Sequence, residues 1–133
     1  MTRIFKKILP GAAALMLMAA VVSCGSSSEP VGDAPSLRGG ETRATLSPGF
    51  FSGPTAKAYF IAREIPEILD SLHCYCECKK HMGHKSLLTC YVDGHAARCD
   101  VCQDEAFMAY DLFKQGRDVR SIRRAVDERF SRI

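Results

Sequence analysis

Apolar residues recur at helical spacing in the C-terminal part of the chain. A helix is predicted to begin at Pro54, because proline is tolerated in the first turn of a helix. Pro66 interrupts that pattern and predicts a second short helix over residues 67–72. The apolar positions on one face of the first helix are Ala58, Tyr59, Ala62 and Ile65.

Two longer helices are predicted near the end of the chain. The first covers residues 104–115, with Gly116 as its C-cap, and the second follows Asp118 as its N-cap. The pattern therefore predicts a mainly α fold, a small helical domain over residues 54–133. The apolar stripes that would support its core are Phe107, Met108, Leu112 and Phe113 in one helix, and Val119, Ile122, Val126 and Phe130 in the other.

Residues 1–23 have the pattern of a lipoprotein signal peptide. Basic residues precede an apolar run over residues 8–22, which is shorter than the roughly twenty residues that a spanning helix needs. Val21-Val22-Ser23-Cys24 resembles a bacterial lipobox, and the resemblance implies that Cys24 is lipidated and becomes the new N-terminus. Two or more acyl chains anchor a protein stably. We therefore expect a lipid-anchored protein at the extracytoplasmic face of a cell membrane.

Removal of the signal peptide changes the charge of the chain. The formal net charge of +3 comes from basic residues before Cys24, so the mature chain is formally neutral. This argues against a nucleic-acid partner. Residues 24–53 are rich in Ser, Gly, Pro and Thr and lack apolar periodicity, which predicts a flexible, disordered linker.

Six of the seven cysteines and all four histidines lie within residues 73–102. In an extended or loop segment, the alternating Cys74, Cys76 and Cys78 would present their thiols on one face. Cys99 and Cys102 have the CxxC spacing of metal chelates, and thiolates are the ligands that soft metals prefer. The candidate ligands are a primary set of Cys76, Cys78, Cys99 and Cys102, with Cys74, Cys90, His84 and His95 as further candidates.

Three interpretations of this cluster remain open. A metal site would hold Cu⁺ or Zn²⁺ through four cysteines, or through three cysteines and a histidine. Three disulfides would instead make a stapled interaction module, because six cysteines are an even number in an extracytoplasmic domain. Thiol redox chemistry or an iron–sulfur cluster is the third interpretation, although no thioredoxin-like βαβ pattern is present in the sequence.

Cys74-Tyr75-Cys76-Glu77-Cys78 resembles the motif of bacterial lipoproteins named for the sequence Pro-Cys-Tyr-Cys-Gly-Cys. Two positions depart from that motif, since His73 stands in place of proline and Glu77 in place of glycine. The family has no assigned activity, so the resemblance implies fold and location rather than mechanism. It runs from about Ala58 to Phe130 and includes residues 64–70, Gly83-His84-Lys85-Ser86, Cys90, His95-Ala96 and Cys99-x₂-Cys102.

We expect a binding or delivery role rather than catalysis. The sequence offers no paired carboxylates, serine nucleophile or phosphate-binding loop, and the domain is small for an enzyme with a cleft. The expected partners are the membrane, through the lipid on Cys24, a metal ion and a protein of the cell envelope.

Overall fold

A computed structural model describes residues 37–132; the predicted signal peptide, the predicted lipidation site Cys24 and linker residues 24–36 lie outside the described residues. The predicted mainly α fold is confirmed, and residues 37–132 contain no β-strand. None of the helices in this range is long and apolar enough to cross a bilayer. The α-helices are α1 (Gly53–Glu64), α2 (Pro66–Asp70), α3 (Cys78–Met82), α4 (Asp100–Lys114) and α5 (Val119–Phe130).

Helices α1 and α2 follow the predicted pattern closely. Proline occupies the first turn of each, where the missing amide hydrogen has no intrahelical partner to lose. Helix α2 ends at Asp70, two residues before its predicted end. The predicted apolar face of α1 and its C-cap is buried, at Ala58, Tyr59, Ala62 and Ile65.

Helix α5 also agrees with its prediction. The Asp118 carboxylate caps its first turn by accepting hydrogen bonds from the backbone N–H groups of Arg120 and Ser121, both at 3.0 Å. The apolar stripe faces the core, with Val119, Ile122, Val126 and Phe130 all buried. The opposite face carries the Arg123–Asp127 ion pair.

Helix α4 differs from its prediction at its start and in its buried face. It begins at Asp100 rather than residue 104, so Cys102 belongs to its first turn. The predicted bulky stripe is only half-buried at the edge of the core. Small side chains let α4 approach α1 and α5, which leaves the bulky ones at the margins. The core-facing residues are Cys102, Glu105, Ala106 and Ala109.

Residues 37–53 pack on the helical domain, which differs from the prediction of a disordered linker for this stretch. The N–H of Gly39 donates to the carbonyl oxygen of Asp70 at 2.8 Å. The Asp70 carboxylate accepts from the N–H groups of Gly40 at 3.0 Å and Glu41 at 3.1 Å. Leu37, Leu46 and Phe51 also pack against the core, at irregular spacing that gives no apolar periodicity in the sequence.

The cysteines and histidines of the described residues lie between the end of α2 and the first turn of α4, most of them in loops. Two turns of 3₁₀-helix, Leu88–Tyr91 and His95–Arg98, give these loops a fixed shape. The Tyr91 side chain is fully buried, and its hydroxyl donates to the carbonyl oxygen of Cys102 at 2.7 Å. This bond ties the loop region to the first turn of α4.

Candidate metal centre

The backbone of the cysteine motif makes a tight turn that separates its alternating thiols. Residues 74–77 form loop and turn, as expected, but Cys78 is the first residue of α3. Glu77, which lies between Cys76 and Cys78, has a φ of +62°, in the left-handed region. Because the chain turns at Glu77, Cys76 and Cys78 point into different groups of ligands.

Cys76, His95, Cys99 and Cys102 form the first of these groups, named here the mixed group. Their ligand atoms all lie within 4.8 Å of one another. Cys76 Sγ is 3.2 Å from His95 Nε2 and 3.8 Å from Cys102 Sγ. Cys99 is the N-cap residue of α4, and His95 begins a 3₁₀-turn.

The dimensions of the mixed group suit a metal ion. Tetrahedral zinc with bonds of about 2.3 Å to sulfur places two sulfur ligands about 3.8 Å apart. The Cys76–Cys102 separation matches that edge. Three sulfurs and one imidazole nitrogen are also a donor set that Cu⁺ accepts. The mixed group could therefore hold a soft metal ion.

Cys74, Cys78 and Cys90 form the second group, named here the sulfur group. All three are buried, with exposed fractions of 3%, 2% and 0%. Their sulfur atoms lie within 4.8 Å of one another, and Cys78 Sγ is 3.4 Å from Cys90 Sγ. His84 lies beside this group, with Nδ1 3.2 Å from Cys90 Sγ.

The structure divides the predicted primary set. Cys76, Cys99 and Cys102 come together, whereas Cys78 joins the sulfur group and His95 takes the fourth place. The further candidates Cys74, Cys90 and His84 lie in or beside the sulfur group. His73 and His81 belong to neither group, and Met82 is exposed.

Asp93 is a site residue that the sequence analysis missed. Its Oδ2 lies 2.9 Å from His84 Nε2, and its Oδ1 accepts a hydrogen bond from the His95 N–H at 3.0 Å. The two histidine rings stand nearly perpendicular with centroids 5.3 Å apart. Carboxylates that orient histidines in this way commonly support metal ligands. The Asp93-Gly94 pair signals a turn in the sequence, but not this contact.

Glu105 is a second missed residue. It is fully buried on α4, and its Oε1 accepts a hydrogen bond from the Tyr75 N–H at 2.7 Å. Burial, with a further contribution from nearby Cys74, raises the pKa of Glu105 to about 10. Glu105 is therefore an uncharged carboxylic acid at neutral pH, and its hydrogen bond to Tyr75 holds the backbone of the cysteine motif.

The thiols do not ionise equally. Hydrogen bonds with Cys74 and Cys90 lower the pKa of Cys102 to about 6. Burial, reinforced by Cys74, raises the pKa of Cys76 above its usual range. Hydrogen bonds with Cys102 and Cys74 likewise raise the pKa of Cys90. Cys102 therefore ionises more readily than Cys76, and a cation would meet it as a thiolate ligand.

All six cysteines in residues 37–132 are free thiols. Their nearest sulfur–sulfur contacts are 3.4 Å, well beyond the roughly 2.05 Å of a disulfide bond. The molecule is a small helical domain in which loops and helix N-termini bring together two adjacent groups of possible metal ligands, one of three thiols and an imidazole and one of three thiols.

Residues 48–132 match the family described as "Protein of unknown function with PCYCGC motif", and the chain belongs to that family. This confirms the resemblance drawn from the motif. Comparison with curated proteins and with solved structures gives no match. The left-handed Glu77 stands where the motif has glycine, the residue that adopts this conformation without steric cost.

Proposed function

We propose that this protein is a membrane-anchored, extracytoplasmic lipoprotein that binds a soft metal ion, Cu⁺ or Zn²⁺, for metal binding or delivery. The observation that carries the proposal is the convergence of Cys76, His95, Cys99 and Cys102 from separate loops and a helix terminus. Several partly buried thiols lie close together without forming disulfides. Their sulfur lone pairs are therefore available to coordinate a metal ion.

The exposure of the mixed group favours exchange over permanent storage. Cys76, His95 and Cys99 are half-buried, whereas Cys102 is fully buried. A partner could reach the three outer ligands while the buried Cys102 still holds the ion, which would allow the metal to pass from one protein to the other by stepwise ligand exchange. This supports a delivery role, which requires no catalytic residues.

The anchor belongs to the same proposal. The lipobox-like segment ending at Cys24 supports lipidation, and the thirteen residues numbered 24–36 precede the described domain. Replacement Cys24→Ala is expected to abolish acylation, because the acyl chains are attached through Cys24. Mass spectrometry of the membrane-bound form should find an acylated N-terminal Cys24; an unprocessed or unacylated chain would exclude the lipoprotein assignment.

Metal content and thiol count, measured on the full lipidated chain in detergent, test the binding function. We expect copper or zinc at one or more equivalents per chain, with six thiols titrating after chelation and denaturation. A chain that carries no metal, cannot be loaded with either ion after reduction, and shows no free thiols would instead be a disulfide-stapled interaction module. Cys99→Ser should weaken binding, and Ser52→Ala, at an exposed position outside both groups, is the control.

A further inference from the structure

Besides Cys90, which interacts with Cys102, one residue of the sulfur group contacts two cysteines of the mixed group, and that residue is Cys74. Its Sγ lies 3.4 Å from Cys76 Sγ and 3.4 Å from Cys102 Sγ, while it also belongs to the sulfur group. Cys76 and Cys102 are themselves 3.8 Å apart, so Cys74 lies over one edge of the mixed group. Sulfur atoms that share a metal ion stand at about this spacing.

We propose that the two groups form one dinuclear Cu⁺–thiolate centre, in which the Cys74 thiolate bridges an ion held by Cys76 and Cys102 of the mixed group and an ion in the sulfur group. The inference rests on the proposed metal-binding function and adds to it the number of ions, their identity and the bridging residue. Each thiol that becomes a ligand releases its proton to solvent, and copper stays cuprous, so no oxidant or reductant is required.

The sulfur group selects the ion. Zinc sites are almost always four-coordinate, whereas Cu⁺ is satisfied by two or three soft thiolates. The sulfur group offers three sulfur ligands, and residues 37–132 supply no fourth ligand atom equally close to all of them. His84 contacts Cys90, but its ring nitrogens fall outside the set of mutually close ligand atoms.

Anaerobic titration of the metal-free full chain in detergent with Cu⁺, supplied as a complex with a chromogenic chelator, tests this proposal. We expect two Cu⁺ ions per chain and a copper–copper scattering feature in the X-ray absorption spectrum. Cys78→Ser, which alters only the sulfur group, should bind one ion and lose the copper–copper feature. Cys74→Ser should also lose that feature, because the bridge is gone.

The outcomes separate the two proposals. Absence of any bound metal would overturn both the proposed function and the dinuclear centre. One ion per chain in the unaltered protein would keep the function and overturn the second site. Two ions without a copper–copper feature would overturn the bridge.

Two further results would overturn the cuprous assignment of the sulfur group. His84→Ala should still bind two ions, because His84 lies beside the group; loss of one ion would make His84 a fourth ligand. Retention of two zinc ions in the presence of excess Cu⁺ would overturn the choice of metal. Should a serine variant fail to fold by circular dichroism, the ion count and absorption spectrum of the unaltered chain still decide.

Discussion

The Asp93 carboxylate lies 2.9 Å from His84 Nε2 and so connects an exposed turn to a buried histidine. The same carboxylate accepts from the backbone N–H of His95, one of the mixed-group ligands. Asp93 therefore holds the ring of His84 beside the sulfur group. It also fixes the turn that places His95 in the mixed group. This makes Asp93 a positioning residue for both groups.

Asp93→Ala is expected to lower the metal affinity of the mixed group by up to about 10-fold, because it frees the turn whose backbone places the ligand His95. The measurement is competition for Cu⁺ or Zn²⁺ against a chromogenic chelator. Asp111→Ala removes an exposed carboxylate from α4 and is the matched control. Equal affinities for the two variants would show that Asp93 does not position the ligands.

Glu105→Gln is expected to stabilise the metal-free, reduced protein at neutral and higher pH. In the unfolded chain the carboxyl ionises above its ordinary pKa of 4.5, whereas in the folded protein its pKa is raised to about 10. Stability contributed by the protonated form is present below pH 4.5 and is lost as pH rises towards 10. At pH 7 the free energy of unfolding is lower by about 3 kcal/mol for this reason, a loss that the uncharged glutamine does not incur.

The check is denaturant unfolding of both proteins at pH 5 and pH 8. The difference in free energy of unfolding between the Glu105→Gln variant and the unaltered chain should be larger at the higher pH. Glu64→Gln, at an exposed position on α1, should show no such change. A gap that stays constant with pH would mean that Glu105 is ionised in the folded protein.

Glu77→Gly is expected to stabilise the domain by about 1 kcal/mol, because glycine adopts the left-handed conformation without the steric cost of a Cβ atom. The exposed Glu77–Lys80 ion pair is lost in this variant, but such pairs contribute little. Thermal unfolding of the reduced protein measures the change. Glu77→Ala removes the same ion pair and keeps Cβ, so it should not gain stability; equal gains would exclude backbone strain as the cause.

Asp70→Ala is expected to destabilise the protein by about 3 kcal/mol, because a buried carboxylate with several hydrogen bonds is removed. Its partners are the N–H groups of Gly40 and Glu41 and the hydroxyl of Ser86, at 3.0, 3.1 and 2.7 Å. Residues 39–41 should then detach, and trypsin should cleave at Arg43 faster than in Asp111→Ala. Unchanged cleavage would show that Asp70 does not hold this segment.

Local patterns in the sequence predicted the helices well. Proline at the start of α1 and α2, Asp118 before α5 and the apolar spacing of α5 depend on neighbours a few residues apart. The eight candidate ligands were also visible, because thiols and imidazoles cluster within a short stretch of chain. Such features depend on residue type and short-range spacing, and both can be read directly from the sequence.

The sequence by itself determined a mainly α domain and a supply of thiol and imidazole ligands, since these follow from periodicity and composition. Only the tertiary structure decided which ligands meet. The turn at Glu77 sends Cys76 and Cys78 to different groups, and Cys74 meets Cys102 across 28 positions of chain. Asp93 and Glu105 gained their roles in the same way, because burial and distant contacts, rather than neighbours in sequence, set the partners and ionisation of a carboxyl group.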